Sequence, residues 1–167
     1  MSLLVLLGGA RSGKSALAVR LGGDVATLIA TASVADAEME ERVRRHRAER
    51  PAAWATVEEP LALRSALTSV DPDSALVVDC LSLWVSNLMA ESWSDVAIET
   101  EGEAVAAAVA ARPGLSVVVS NEVGLGIVPV TPVGRRYRDV LGRVNAVFAL
   151  ASDQTLLVVA GKTIELA

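Results

Sequence analysis

The chain has 167 residues, of which 52% are hydrophobic and 3% aromatic, so it is long enough to bury one core built mainly from Ala, Val and Leu. Its formal net charge of −5 argues against nucleic-acid binding, which depends on a basic surface. The single cysteine, Cys80, excludes an intrachain disulfide and a cysteine-rich metal site, as expected in the reducing cytoplasm.

Short apolar runs alternate with helical patterns along the whole chain. The first run, residues 3–7, stops at Gly8 without a basic segment before it, so we expect neither a signal peptide nor a membrane span. The alternation predicts an α/β fold, with a mostly parallel sheet covered by helices on both faces. In chain order we predict strand 3–7, helix 14–21, strand 27–30, helix 36–50, strand 54–57, helix 61–70, strand 75–78, helices 81–90 and 94–111, strand 115–119, a loop at 121–134, a helix containing 137–148 and strand 155–159. Since no linker or repeat is present, we predict one domain over 1–167.

The strongest motif matches the phosphate-binding pattern G-x-x-x-x-G-K-[ST]. Its glycines let backbone N–H groups surround phosphate oxygens, and the helix that follows directs its positive end at the same anion. Lys14 would reach the β- and γ-phosphates, and the Ser15 hydroxyl would hold Mg²⁺. A chance glycine-rich turn is the alternative, but a strand before and a helix after favour a P-loop. The motif consists of Gly8, Gly9, Ala10, Arg11, Ser12, Gly13, Lys14 and Ser15.

A second candidate is Asp79, at the carboxyl end of the apolar run 75–78. An acid at that position can complete the Mg²⁺ shell of a P-loop enzyme. The alternative is a carboxylate that caps the predicted helix at 81–90. Beside a P-loop, the metal-binding interpretation is favoured.

The third candidate is His46, the only histidine of the chain, which lies in the predicted helix 36–50. Arg42, Arg45 and Arg47 flank it, and such a cationic neighbourhood would lower the histidine pKa and keep the imidazole neutral and nucleophilic. The same arginines could bind a phosphate chain. Several glutamates lie nearby as well, so a solvated helix with internal ion pairs is the alternative.

The fourth candidate is the loop at 121–129, with the sequence NEVGLGIVP. It leaves a predicted strand at its carboxyl end, where parallel sheets place their ligand sites. An ordinary strand-to-helix connection is the alternative, and the role of the loop stays open.

Three blocks occur in a fixed order: GGARSGKS at 8–15, HRAERPAAW at 46–54 and NEVGLGIVP at 121–129. Together they resemble the bifunctional adenosylcobinamide kinase / adenosylcobinamide-phosphate guanylyltransferase family of cobalamin biosynthesis, over nearly the whole chain. The first block is shared with many nucleotide-binding enzymes, whereas the other two are more specific. The resemblance implies a RecA-like P-loop NTPase sheet and a homotrimer.

The resemblance also implies two reactions and a set of site residues. Such enzymes phosphorylate adenosylcobinamide with ATP or GTP, with Mg²⁺, and then transfer GMP from GTP to the new phosphate through a guanylyl-histidine. His46 would take the GMP, and Lys14 would act in the phosphate-binding loop. Some relatives carry two neighbouring histidines; here the first of them is Arg45, which indicates His46 as the nucleophile. The further nucleotide-binding residues implied are Thr31, Ala32, Ser33, Arg47, Ala48, Glu49, Arg50, Glu58 and Asp79.

Two other functions fit the same motifs. A P-loop kinase of another pathway would leave His46 without a role, and labelled GTP would then fail to modify the protein covalently. A regulatory nucleotide-binding module would act through a protein partner, so turnover of adenosylcobinamide by the chain alone would exclude it.

Overall fold

The computed structural model describes residues 2–33 and 51–166. These residues form a sheet of seven strands with helices on both faces. The predicted helix 36–50, with His46, lies outside these residues. The strands are β1 (Leu3–Leu7), β2 (Thr27–Ala30), β3 (Ala55–Glu58), β4 (Leu76–Asp79), β5 (Ser116–Val119), β6 (Gln154–Val159) and β7 (Lys162–Leu166). The helices are α1 (Lys14–Gly22), α2 (Leu63–Leu67), α3 (Leu81–Ala90), α4 (Asp95–Ala110) and α5 (Pro132–Ala151).

The strand order is β3-β2-β4-β5-β1-β6-β7. The first six strands are parallel, and β7 pairs antiparallel with β6. Because parallel strands end at the same edge, the segments that follow β1, β4 and β5 are neighbours although they are far apart in sequence. This sheet confirms the predicted α/β class.

Successive side chains of the central strands point to opposite faces, so both faces are buried. Leu4 and Leu6 of β1 pack with Leu17 of α1 on one face. Leu3 and Val5 lie on the other face, which α2, α3, α4 and α5 cover. Helices therefore lie on both faces, as the continuous apolar runs predict. In the described ranges, 2–33 and 51–166, no helix is long and apolar enough to cross a bilayer.

Helix α2 is shorter than the predicted helix 61–70. The Glu59 carboxylate accepts hydrogen bonds from the N–H groups of Leu61 and Ala62, so the chain is still in a turn there. After the helix, the N–H groups of residues 68–70 bond to carbonyls three residues earlier, as in tight turns. Strand β3 also lies one residue later than predicted.

The predicted loop 121–134 ends early because α5 begins at Pro132. The Thr131 hydroxyl accepts a hydrogen bond from the N–H of Gly134 at 3.2 Å, and proline at the first helical position needs no N–H partner. Strand β7 was not predicted. It follows a two-residue turn at Ala160 (φ 49°) and Gly161 (φ 75°), which suits a tight hairpin.

Candidate active site

The phosphate-binding motif forms a turn between β1 and α1, and neighbouring backbone holds it tightly. A Cβ on Gly8 would lie 2.3 Å from the carbonyl oxygen of Val158, so a larger residue cannot occupy that position. Gly13 has a φ of 103°, which glycine adopts readily. The N–H of Gly161 donates to the Ser12 carbonyl at 2.8 Å, so the β6–β7 hairpin supports the loop from outside. The structure thus agrees with the local geometry that the motif predicts.

The ammonium group of Lys14 lies inside this loop. Its Nζ atom donates to the carbonyl oxygens of Gly8 and Gly9, both at 2.7 Å, and lies 3.4 Å from Ser12 Oγ. Lys14 is 6% exposed. A positive charge is therefore held against the backbone that would surround a nucleotide's phosphates.

Ser15 and Asp79 come together from different elements. Ser15 lies in the first turn of α1 and Asp79 at the end of β4, and Ser15 Oγ donates to Asp79 Oδ2 at 3.2 Å. The first turn of α3 does not use the Asp79 carboxylate as a cap, since Cys80 occupies the N-cap position. A hydroxyl beside a carboxylate is the hard oxygen pair that Mg²⁺ accepts in nucleotide sites, together with water and phosphate oxygens. These two residues therefore fit the metal that the motif implies.

We expect Asp79→Asn to weaken Mg²⁺ dependence while the fold is retained. The amide has nearly the same shape but no charge for the metal shell, and changes of this kind lower metal affinity by about 10- to 100-fold. Turnover titrated against MgCl₂ measures the effect, and Asp73→Asn, on an exposed turn, is the matched control. Unchanged Mg²⁺ dependence would leave Asp79 with only a structural bond to Ser15.

Thr31 continues β2 beside Asp79, and it is fully buried. Its hydroxyl donates to the carbonyl oxygen of Cys80 at 2.7 Å and accepts from the Cys80 N–H at 2.9 Å. The Asn87 side chain holds Thr31 in turn, donating to its carbonyl oxygen at 2.8 Å. The Thr31 side chain thus fixes the backbone next to Asp79. Sequence reasoning found Thr31 only through the resemblance and gave it no such contact.

The other implied nucleotide-binding residues lie in different parts of the chain, and only some of them lie within the described residues. Ala32 is half-buried and Ser33 exposed, just beyond Thr31. Glu58 is exposed at the end of the edge strand β3, separated from β4 by β2. The remaining residues lie outside the described part of the chain; they are His46, Arg47, Ala48, Glu49 and Arg50.

Cys80 directly follows Asp79 but is buried. Burial, and then the charge of Asp79, raises the pKa of its thiol, so the reactive thiolate is disfavoured. Its Sγ atom lies 2.8 Å from Ser82 Oγ. Burial also raises the pKa of nearby Tyr137 to about 12, and the Tyr137 hydroxyl donates to the Ser82 carbonyl at 3.0 Å. Cys80, Ser82 and Tyr137 therefore form an uncharged, hydrogen-bonded group that begins next to Asp79 in the chain.

The loop after β5 lies next to the phosphate-binding loop. The N–H of Glu122 donates to the Gly8 carbonyl at 3.1 Å. The buried Ser120 hydroxyl donates to Asn145 Oδ1 at 2.6 Å, and Asn145 Nδ2 donates to the Asn121 carbonyl at 3.0 Å. The rest of the loop exposes apolar side chains, with Leu125 82% and Ile127 96% exposed. Sequence reasoning singled out this loop but missed Ser120 and Asn145, since a lone polar residue inside a helix or at a strand end carries no motif.

Known proteins are similar to this chain over nearly its whole length. Residues 4–166 match the family described as cobinamide kinase / cobinamide phosphate guanyltransferase. The bifunctional adenosylcobalamin biosynthesis protein CobP of Pseudomonas aeruginosa is 43% identical over 161 residues, covering 94% of this chain and 92% of the relative. The corresponding CobU proteins of Salmonella typhimurium and Escherichia coli are 38% and 36% identical, each over 95% of this chain and 96% of the relative. The chain therefore belongs to the cobinamide kinase / cobinamide phosphate guanyltransferase family.

Proposed function

We propose that this chain phosphorylates adenosylcobinamide on its aminopropanol hydroxyl and then transfers GMP from GTP to that phosphate, giving adenosylcobinamide-GDP. The observation that carries the proposal is the family match, which extends over residues 4–166. The enclosed Lys14 ammonium supports it, because both reactions begin with a bound nucleoside triphosphate.

In the kinase step, backbone N–H groups of the phosphate-binding loop and the Lys14 ammonium would bind the β- and γ-phosphates of ATP or GTP. The acceptor hydroxyl attacks the γ-phosphorus, and the nucleoside diphosphate leaves. Charge moves onto the bridging oxygen as the bond breaks, and a fixed cation at that place lowers the barrier. The burial of Lys14 strengthens this interaction, since less water competes for its charge.

Mg²⁺ would be held by Ser15 and Asp79, and it neutralises phosphate charge when bound. The 3.2 Å hydrogen bond between the two side chains brings their oxygens to one place. Thr31 keeps the backbone beside Asp79 in position through its bonds to Cys80.

In the transferase step, His46 would attack the α-phosphorus of GTP and release pyrophosphate. The phosphate of adenosylcobinamide-phosphate would then displace the imidazole and take the GMP. Two displacements replace one difficult exchange between anions. The nearby arginines, Arg47 and Arg50 among them, would stabilise the negative charge of the leaving group. We assign nucleotide contacts in this step to residues 31–33, to Ala48 and Glu49, and to Glu58.

We also propose a homotrimer, which rests on the family resemblance, and a cytoplasmic location, which fits a chain with a single cysteine. Sedimentation equilibrium of the purified chain tests the first of these. A mass of one or two chains at working concentration would contradict it.

One assay tests the proposed function as a whole. The protein is incubated with adenosylcobinamide, GTP and Mg²⁺, and corrinoid products are followed by mass. We expect adenosylcobinamide-phosphate to form first and adenosylcobinamide-GDP to follow. If the corrinoid stays unmodified, the chain is not the kinase that we propose; if only the phosphate accumulates, the transferase half of the proposal is wrong.

A further inference from the structure

The segment after β5 occupies the centre of the site. In the sheet order, β5 lies between β4, which carries Asp79, and β1, which leads into the phosphate-binding loop. Glu122 follows the end of β5 by three residues. The backbone at Glu122 therefore leaves the sheet between the strand that ends at Asp79 and the strand that leads into the phosphate-binding loop.

Backbone contacts fix Glu122 at this place. Pairing between β5 and β1 continues past the strand ends, since the N–H of Ser120 donates to Leu6 and that of Glu122 donates to Gly8, at 2.9 and 3.1 Å. The same Gly8 carbonyl accepts the Lys14 ammonium at 2.7 Å. The Glu122 N–H and the Lys14 ammonium, which would hold the γ-phosphate, therefore donate to the same carbonyl oxygen.

A buried support holds the segment rigid. Asn145 of α5 is 4% exposed and Ser120 fully buried. Asn145 accepts from the Ser120 hydroxyl and donates to the Asn121 carbonyl, so both residues that precede Glu122 are tied to one helix. Buried and mutually satisfied hydrogen bonds of this kind restrict a segment to one conformation.

Glu122 is half-buried, so part of the residue stays exposed. One of its oxygens accepts a hydrogen bond from the N–H of Gly124. A Cβ on Gly124 would lie 2.9 Å from that oxygen, so glycine permits the close turn. A carboxylate has two oxygens with several acceptor sites, and this bond uses only part of that capacity.

We propose that Glu122 is the catalytic base of the kinase step, an inference that rests on the function proposed above. The acceptor hydroxyl oxygen forms a bond to the γ-phosphorus while the bond from that phosphorus to the β–γ bridging oxygen breaks. The nucleoside diphosphate leaves with the electron pair. The hydroxyl proton passes to a Glu122 carboxylate oxygen and from there to solvent. Guanylyl transfer needs no such base, because a phosphate acceptor has no alcohol proton to lose.

The test compares Glu122→Gln with wild type in two reactions, both with GTP. One starts from adenosylcobinamide and measures the sum of both products; the other starts from adenosylcobinamide-phosphate. The amide keeps an oxygen that accepts from Gly124, so the turn is preserved, but it cannot take a proton. We expect kcat of the first reaction to fall at least about a hundredfold. The kcat of the second reaction should stay within about threefold of wild type. Glu165→Gln, on exposed strand β7, is the control and should change neither.

Three results would overturn the assignment. They are a loss of less than about threefold in the first reaction, an equal loss in both reactions, and a raised KM for adenosylcobinamide with unchanged kcat. The first leaves the carboxylate without a role, the second makes it a general support of the nucleotide site, and the third makes it a binding residue. Failure of the wild type to form adenosylcobinamide-phosphate would contradict the proposed function itself, and the base with it.

Discussion

Covalent labelling with GMP should disappear completely in His46→Ala, while phosphorylation of adenosylcobinamide should survive, reduced at most in part. The kinase step proceeds by direct attack of a hydroxyl on the γ-phosphate and needs no imidazole. Guanylyl transfer by double displacement needs a nucleophile, and His46 is the only histidine in the sequence. The measurement uses GTP labelled at the α-phosphorus, followed by gel separation of the protein.

The surviving kinase reaction is the internal control, because it shows that the variant is folded and binds nucleotide. The chemical stability of the label identifies the bond in the wild type. A phosphorus–nitrogen bond is labile in acid and stable in base, so the label should be lost at low pH and kept at high pH. A label that persists in His46→Ala, or that resists acid, would show that the nucleophile is a lysine or another side chain.

Lys14→Ala should disable both reactions. The ammonium donates to three loop acceptors, at 2.7, 2.7 and 3.4 Å, and in a P-loop this lysine is the side chain that reaches the β- and γ-phosphates. Loss of such a transition-state contact costs on the order of 3 kcal/mol, or about a hundredfold or more in rate. Initial rates of both reactions at saturating nucleotide measure it.

A matched control removes a different cation from the same helix. Arg20 lies in the last turn of α1, away from the motif, so Arg20→Ala should retain near-normal rates. Circular dichroism of both variants checks that the fold is kept. Near-normal kinase turnover by Lys14→Ala would contradict the assignment of residues 8–15 as a phosphate-binding loop.

Local sequence patterns were sufficient for the centre of the fold. The run 3–7, the glycine-rich turn and the helix after it are contiguous, so their geometry follows from neighbours in the chain. Strands β1, β4 and β5 are almost completely buried and consist mainly of Leu and Val, which is why they were predicted within a residue. Asp79 was likewise found from its place at the end of such a run.

Edges were predicted less well because exposed strands have no buried face. All five residues of β7 are exposed, and the alternation of Ile164 and Leu166 with polar residues is too short to mark a strand by itself. Its existence depends on pairing with β6 through the turn at Ala160 and Gly161. Helix α2 begins later than predicted for a related reason, since the Glu59 carboxylate holds Leu61 and Ala62 in a turn, and no pattern in 61–70 encodes the position of that side chain.

Contacts between distant segments were decided only by the tertiary structure. Arg112 is buried, and burial lowers its pKa; its guanidinium donates to the carbonyls of Asp71 and Ser74 at 2.9 and 3.0 Å. Thr31 holds the backbone of Cys80, and Glu122 shares the Gly8 carbonyl with Lys14. The sequence alone determined the glycine-rich turn between β1 and α1, the α/β class and the family, because those signals are local or ordered along the chain. Which polar groups meet at the edge of the sheet depends on strand order, and strand order follows from how the whole core packs.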